Sequence, residues 1–279
     1  METRLTFVHA LSPLHAGTGQ GVGVIDLPIA RETATKLPYL PGSSLRGVLR
    51  HTLDGPTTEK IFGKLTSSGT EPGLVHIADQ RLLLLPVRSI AGIFAWVTSP
   101  YVLRRFARDV QDNGMLDDLP SSMPNVTGNQ VAVRENSVLT VNNKQQVYLE
   151  DLDLVPSPSE AALANEWATW IERKAGLDRL AERFAIVPDD VLSFLLTTAT
   201  EVVARVRLED EKKTVASGAL WYEEALPAET VLSGLVLHTG KNGTAKDDFT
   251  KLKGFVAKPI HLGGNTGVGR GLCRVVIVD

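Results

Sequence analysis

The chain has 279 residues, with 29 Lys and Arg against 32 Asp and Glu, a formal net charge of −3 and 43% hydrophobic residues. This length and composition exclude wholesale disorder and fit one elaborated domain or two. The single cysteine, Cys273, excludes an internal disulfide and a multi-cysteine zinc site, so we expect a reducing, cytoplasmic location. The longest uncharged stretch, Ser89–Leu103, is too short to span a membrane, so we expect no membrane partner.

The charge is unevenly distributed along the chain. Residues 81–108 contain five arginines and no acid, and residues 241–274 contain seven Lys or Arg against two Asp. Residues 149–190 hold ten acids against four bases. The net charge argues against a nucleic-acid-binding protein, but this distribution would suit a basic groove if the basic segments meet in space. The alternative is that the basic side chains are scattered and solvated.

Alternating apolar and polar residues, together with turn-forming residues, predict the strands and helices in the first half of the chain. Thr3–Ser12 alternates and predicts a strand, and the glycine-rich segment Pro13–Pro28 predicts a long loop. The next turn introduces a predicted helix that ends near Leu53, with Ser43 or Ser44 as its N-cap. Two strands and a helix are predicted next, at Leu74–Ala78, Gln80–Val87 and Pro100–Val110.

The second half begins with a loop-rich stretch, residues 111–158, which we interpret as an insertion with short strands near Gln130–Arg134 and Gln146–Leu149. Helices are predicted over Ser159–Ala185 and Pro188–Thr200. The remaining predicted elements are strands at Glu201–Leu208, Thr230–His238 and Leu272–Val278 and a helix near Asp247–Ala257. Interleaved strands and helices predict an α+β or α/β fold.

A Gly-rich loop, residues 261–271, contains five glycines in eleven residues. Only eight residues follow Gly271, and they predict a strand where a dinucleotide-binding fold would need a helix. No Gly-Lys-Ser/Thr sequence follows, which excludes a P-loop. Loop amides together with Arg270 could hold RNA phosphates, and a purely structural hairpin turn is the alternative.

Three N-terminal segments form a more specific pattern. They are Leu11–Gly19, which contains His15-Ala-Gly-Thr-Gly, Val24–Glu32, which contains Asp-Leu-Pro-Ile-Ala-Arg, and Tyr39–Arg50, which contains Pro-Gly-Ser-Ser-Leu-Arg-Gly. This pattern resembles the RAMP superfamily of CRISPR effector proteins, and within it the repeated backbone subunit of the type III-B Cmr complex. The segment Gly218–Thr230 and the Gly-rich loop extend the resemblance almost to the C-terminus.

The resemblance implies an α+β fold in which residues 1–279 form one RAMP domain. This domain would have a ferredoxin-like, RRM-related core, insertions and a β-hairpin thumb near residues 205–222. The implied partners are guide RNA, target RNA, further copies of the chain and other Cmr subunits. The implied activity is cleavage of target RNA at regular intervals by attack of the ribose 2′-hydroxyl, with Mg²⁺ or Mn²⁺ as cofactor.

The resemblance also assigns residues. It makes Asp26 the catalytic aspartate and metal ligand, His15 a catalytic histidine, and Glu223 or Glu224 a further catalytic acid. Some relatives have a tyrosine after the paired glutamates, where this chain has Ala225. From the residues alone, Asp26 could instead cap local amides, His15 could be structural and the glutamates could be a solvated pair. RNA contacts are implied for eight residues: Ser43, Ser44, Arg46, Arg50, Gly264, Gly267, Gly269 and Arg270.

Three other functions compete with an RNA-guided nuclease. A non-catalytic guide-RNA-binding scaffold would share its fold and partners. A single-copy nuclease that matures guide transcripts would act as an isolated, metal-independent monomer, which this sequence does not favour. The Gly-rich loop alone would also permit an enzyme acting on a small phosphate compound.

Overall fold

The computed structural model describes residues 1–19, 21, 23–52, 56–66, 69–115, 118–209, 215–240 and 244–278. Strands and helices are interleaved over these residues, which confirms the α+β class. Within the same ranges, no helix is both long enough and apolar enough to cross a membrane. The predicted end of a helix at Leu53 falls outside the described residues.

The strands are β1 Glu2–Ala10, β2 Tyr39–Leu40, β3 Gly63–Thr66, β4 Gly69–Pro72, β5 Val75–Ile77, β6 Gln80–Arg88, β7 Phe94–Thr98, β8 Gln130–Val131, β9 Thr140–Val141, β10 Gln146–Leu149, β11 Leu152–Pro156, β12 Phe184–Ile186, β13 Glu201–Leu208, β14 Val215–Ala225, β15 Val231–His238, β16 Ile260–His261 and β17 Leu272–Val278. The helices are α1 Gly42–Thr52, α2 Pro56–Phe62, α3 Pro100–Asp112, α4 Ala161–Ala175, α5 Leu180–Arg183, α6 Asp189–Thr198 and α7 Ala245–Phe255. Short 3₁₀ turns lie at Pro158–Glu160 and Thr266–Val268.

The main sheet has the strand order β12-β7-β6-β15-β1-β17-β16, with β2 added to β6 and β5 added to β15. Strand β1 is antiparallel to both β15 and β17, and β15 is antiparallel to β6. The C-terminal end of β1 therefore meets the N-terminal ends of β15 and β17. This arrangement brings together the loop after β1, the residues before β15 and the Gly-rich loop before β17.

Helix α3 shows how the core is built on one face of this sheet. Ser99 caps the helix by accepting a hydrogen bond from the Val102 N–H at 3.5 Å, and proline occupies its first position. The buried Phe106 ring lies 6.0 Å from Phe7 of β1 and 5.6 Å from Trp170 of α4, measured between ring centroids. The predicted helix over Pro100–Val110 is confirmed, and its apolar side joins α4 to the sheet.

A second sheet forms within residues 111–158, with the strand order β8-β11-β10-β9. The predicted strand Gln146–Leu149 is confirmed as β10, whereas the one near Gln130–Arg134 is shortened to β8. An isolated bridge between Ser89 and Leu149 joins this sheet to the end of β6. Strands β9 and β11 are only two and five residues long, too short for an alternating pattern to be distinctive.

Two predictions about helices are wrong. The predicted helix over Ser159–Ala185 ends at Ala175, because Gly176 has a φ of 66° and caps it, and Phe184–Ile186 forms the edge strand β12 parallel to β7. Helix α1 begins at Gly42, so the serines after it lie in its first turn and neither is the N-cap. Its first amide instead donates to Oδ1 of Asp79 at 2.8 Å, a cap that comes from a distant segment.

A two-stranded hairpin is formed by β13 and β14. Its register pairs Glu201 with Ala225 and Val203 with Glu223, so the paired strands extend beyond the predicted range 205–222 at both ends. Residues 210–214 lie outside the described residues. The hairpin continues directly into β15 of the main sheet, which places its base beside the loop that follows β1.

Candidate active site

The loop after β1 docks along one edge of β14. The other edge of β14 pairs with β13, and in a strand the backbone groups of alternate residues point to opposite edges. The Leu27 N–H donates to the Tyr222 carbonyl at 3.0 Å, and the Glu224 N–H donates to the Leu27 carbonyl at 3.0 Å. Leu14 and Leu226 exchange two further backbone hydrogen bonds. The loop is therefore held as an additional partner of the hairpin base.

Asp26 lies at this docked edge. Its Oδ2 accepts a hydrogen bond from the Tyr222 N–H at 2.7 Å, and the residue as a whole is exposed. Within the described ranges, no donor is hydrogen-bonded to its Oδ1. Capping of a backbone amide, the alternative role for Asp26, thus accounts for Oδ2, and Oδ1 remains available for a ligand.

His15 lies on the same edge and is only 6% exposed. Its Nδ1 is 2.7 Å from the Glu224 carbonyl oxygen, and because a carbonyl can only accept, Nδ1 carries the proton in this bond. The ring Nε2 faces Gly17, where any Cβ would collide with it. Gly263, with a φ of 76°, likewise passes too close to the His15 carbonyl for a side chain. Two glycines of the motifs therefore make room for this histidine.

The two side chains are bonded to residues two apart on one strand edge. Two residues of β-strand span about 7 Å. A proton donor or acceptor works within a heavy-atom distance of about 2.6–3.2 Å. The backbone groups that hold Asp26 and His15 therefore lie about 7 Å apart along one edge of β14.

Glu223 is buried, at 2% exposure, and points towards the Gly-rich loop. Its carboxylate accepts hydrogen bonds from Asn265 Nδ2 at 2.8 Å and Arg270 Nε at 3.1 Å, and Arg205 Nε lies 3.3 Å away. Arg270 also donates to Glu201 at 2.9 Å. This network ties both hairpin strands to the Gly-rich loop.

Glu224 is also buried, at 5% exposure, and faces the opposite side of β14. One of its oxygens accepts from Arg31 at 2.6 Å and the other from the Ile29 N–H at 3.1 Å. The alternative interpretation of a solvated glutamate pair is therefore wrong for both residues. The sequence contains no spacing that signals the role of Arg31, because its partner Glu224 lies 193 residues away along the chain.

The residues predicted to contact RNA are divided between α1 and the Gly-rich loop. No described contact joins α1 to Asp26 or His15. The Arg46 guanidinium donates to the Phe62 carbonyl and lies 5.9 Å from the centre of that ring, whereas Arg50 is exposed. Ser43 is exposed and Ser44 is partly buried; both remain predicted RNA contacts.

The predicted contacts in the Gly-rich loop differ in what they offer. The Gly264 N–H donates to the His15 carbonyl at 2.9 Å, and Gly269 donates to Thr266 at 3.2 Å. Gly267 is exposed at the loop tip, and the Arg270 guanidinium is buried among carboxylates. The loop therefore joins the His15 side of the site through Gly264 and presents its tip to solvent.

The arginines of residues 81–108 do not form an unpaired basic groove in this chain. The Arg105 guanidinium forms a bidentate ion pair with the Glu32 carboxylate, with N···O distances of 2.8 and 2.5 Å. Arg104 and Arg88 pair with acids from α6 and the insertion, Asp189 and Glu150 respectively. Three of the five arginines in this acid-free segment are thus paired with acids from elsewhere in the fold.

The described residues offer no preformed cage for a metal ion. Among them, no three His, Cys, Asp or Glu side chains converge. Mg²⁺ often binds through one or two carboxylates and takes its other ligands from water and phosphate. The exposed carboxylate of Asp26 fits that mode of binding, in which the ion is shared with RNA.

Comparison with known proteins defines the class. The profile of the RAMP superfamily matches residues 7–274, so the chain belongs to the RAMP superfamily. It is 37% identical, over its full length and 97% of the relative, to the CRISPR system Cmr endoribonuclease Cmr4 of Pyrococcus furiosus. Within the superfamily, the chain therefore falls in the Cmr4 family.

Solved structures agree with this assignment. The crystal structure of oligomeric Cmr4 from Pyrococcus furiosus superposes with a TM-score of 0.76 at 29% identity, covering 99% of this chain and 98% of that chain. A chain in the cryo-EM structure of type III-B Cmr-beta bound to cognate target RNA gives a TM-score of 0.78 at 18% identity, covering 99% and 97%. The second likeness concerns the fold alone.

Proposed function

We propose that the chain is the backbone subunit of a cytoplasmic type III-B CRISPR effector complex that cleaves target RNA paired to a guide RNA. The observation that carries this proposal is the placement of Asp26 and His15 on one edge of β14. The Pyrococcus furiosus relative, a Cmr endoribonuclease, supports the activity, and the oligomeric Cmr4 crystal structure supports assembly with further copies of the chain. Other Cmr subunits are the further proposed partners.

The chemistry follows from a substrate that carries its own nucleophile. Oδ1 of Asp26 accepts the proton of a ribose 2′-hydroxyl, whose oxygen attacks the adjacent phosphorus. As the new bond from the 2′-oxygen to phosphorus forms, the bond from phosphorus to the 5′-oxygen breaks. Protonated His15 donates from Nε2 to that leaving oxygen. The products are a 2′,3′-cyclic phosphate and a 5′-hydroxyl end.

We further propose that Asp26 would hold Mg²⁺ or Mn²⁺ jointly with an RNA phosphate. The bound ion would supply charge neutralisation at the phosphate. For guide RNA, the first turn of α1 offers the hydroxyl groups of Ser43 and Ser44, with Arg50 two turns further on. The exposed amide of Gly267 offers a further contact for the RNA backbone.

The test uses the assembled complex with guide RNA and labelled target. Asp26→Asn should retain target binding and lower the single-turnover cleavage rate by at least ~10²-fold, and His15→Ala should lower it by ~10²-fold. Asp153→Asn, which changes an exposed aspartate on β11, is the matched control and should cut like the wild type. Cleavage by Asp26→Asn at the wild-type rate would refute the assignment.

The second candidate function is a non-catalytic guide-RNA-binding scaffold. The burial of Glu223 and Glu224 among arginines favours it, because it leaves only two candidate reacting groups. A scaffold leaves target RNA intact both with Mg²⁺ and with a chelator. A nuclease shortens it at regular intervals and leaves the two product ends named above.

A further inference from the structure

Arg31 joins three separate parts of the molecule beside the proposed site. Its guanidinium donates to Glu224 at 2.6 Å, to the Leu196 carbonyl at the end of α6 at 3.0 Å, and to the Lys36 carbonyl at 3.2 Å. The side chain is 21% exposed, and the Glu224 side chain that it pairs with is 6% exposed. Desolvation of the carboxylate makes this pair stronger than a surface ion pair.

Glu224 in turn holds the segment that carries Asp26. Its backbone N–H donates to Leu27, and its two carboxylate oxygens accept from Ile29 and Arg31. One residue of β14 therefore fixes three positions within the five residues that follow Asp26. With Tyr222 bonded to Asp26 itself, the whole segment lies against a single strand edge.

The occupied oxygens of Glu224 argue against proton transfer by this residue. A general base must lie within hydrogen-bond reach of the proton that it removes. Both Glu224 oxygens are already bonded to donors of the Asp26 segment. Asp26, in contrast, is exposed and keeps Oδ1 free of donors from the described residues.

We infer that Arg31 and Glu224 are positioning residues whose ion pair sets the place of Asp26 relative to His15. The inference rests on the proposed function and assigns Arg31 a part in it. The pair touches no reacting atom; it fixes the backbone from which the Asp26 carboxylate projects. A displacement of about 1 Å at a reacting group can lower the rate by about 10²-fold, so loosening this segment should affect chemistry more than binding.

The test compares Arg31→Met, Glu224→Gln and the double variant in the assembled complex. Each single variant should lower the single-turnover rate at saturating target by ~10- to 100-fold and change target affinity by less than ~2-fold. The double variant leaves no unpaired buried charge, and it should be no slower than the slower single variant, because the two residues act as a unit. Arg31→Lys should recover part of the rate.

The control is Arg173→Met on α4, which breaks an exposed ion pair with Asp118 and should cut like the wild type. Hydrogen exchange supplies a readout independent of cutting, since the Ile29 amide should exchange faster in all Arg31 and Glu224 variants. The apparent pKa values of the pH–rate profile should stay unchanged, because the groups that transfer protons are retained.

Two results would overturn the inference. One is an Arg31→Met rate equal to that of the Arg173→Met control. The other is a Glu224→Gln variant as inactive as Asp26→Asn with a limb of its pH profile missing, which would make Glu224 a catalytic residue. Failure of the proposed function looks different, since it leaves the wild type and Asp26→Asn indistinguishable.

Discussion

Replacing Lys60 with Met should destabilise the chain more than replacing Lys64 with Met. The two lysines are matched, with side chains 43% and 41% exposed, but their partners differ in burial. Lys60 Nζ lies 2.9 Å from the carboxylate of Asp248, which is fully buried. Lys64 Nζ lies 3.5 Å from Glu71, which is 61% exposed. The comparison therefore isolates the effect of burying the acceptor.

The structure sets the size of the effect. Without Lys60, the buried Asp248 carboxylate keeps a hydrogen bond from His238 Nε2 at 3.1 Å, while Lys251 lies 3.9 Å away. Losing one hydrogen bond to a buried charged group costs about 1.5–3 kcal/mol, and partial hydration of Lys60 keeps the loss below the 3–5 kcal/mol typical of fully buried pairs. The exposed pair of Lys64 contributes about 0–1 kcal/mol.

The penalty should also depend on pH. Burial alone would raise the pKa of Asp248, but hydrogen bonds from Lys60 and His238 outweigh it and lower the pKa. A carboxyl group with a lowered pKa stabilises the folded state above its unfolded value, about 3.9, and loses that contribution as the pH falls through the folded value. The difference between wild type and Lys60→Met should therefore be constant near pH 7 and shrink below about pH 3.9.

Urea unfolding and thermal melting of the purified full chain measure this prediction. For a chain of 279 residues, a loss of about 2 kcal/mol corresponds to a Tm lower by about 3–4 °C. Equal midpoints for the two lysine variants at pH 7 would refute the reasoning. So would a penalty for Lys60→Met that grows on acidification.

Three further predictions use other parts of the structure. Gly17→Ala should displace the His15 ring and lower the cleavage rate by ~10-fold or more in the assembled complex, with normal target binding in a gel-shift assay. Burial raises the pKa of the Cys273 thiol to about 12, so it should resist a disulfide reagent at pH 8 and react in urea. Arg179→Gln, which removes the exposed partner of the ion pair with Glu182, should leave the urea midpoint of unfolding at the wild-type value.

Local sequence patterns predicted helix α3, whose buried positions repeat with a helical period, and strand β1, although β1 is buried at the four consecutive positions Leu5–Val8. Both elements lie within two residues of where the sequence predicts them. The edge strand β12 was not predicted, because its three buried apolar residues are compatible with a helix or a strand until the partner strand β7 is known. Its register partner Trp96 lies far away along the chain, so no local signal resolves the choice.

The same limit explains why sequence analysis identified candidate reacting groups but not the residues that hold them. Asp26 and His15 lie in short motifs, whose glycines are visible as letters. Their supports depend on contacts across the fold: the Glu224 carbonyl for His15, and the Tyr222 amide for Asp26. Those contacts exist only because β14 leaves one edge open beside the loop after β1, a feature of topology that spacing does not encode.

Strand geometry also separates two glutamates that are equivalent in the sequence. Because successive side chains of a strand point to opposite faces, Glu223 meets Arg270 and Arg205 on one side while Glu224 meets Arg31 on the other. One therefore anchors the Gly-rich loop to the hairpin, and the other anchors the Asp26 segment. A catalytic carboxylate needs an oxygen that RNA can reach, and Asp26 keeps one, whereas both oxygens of Glu224 are bonded to donors. The adjacent glutamates thus lie as two anchors on either side of one strand, and their catalytic roles stay predictions.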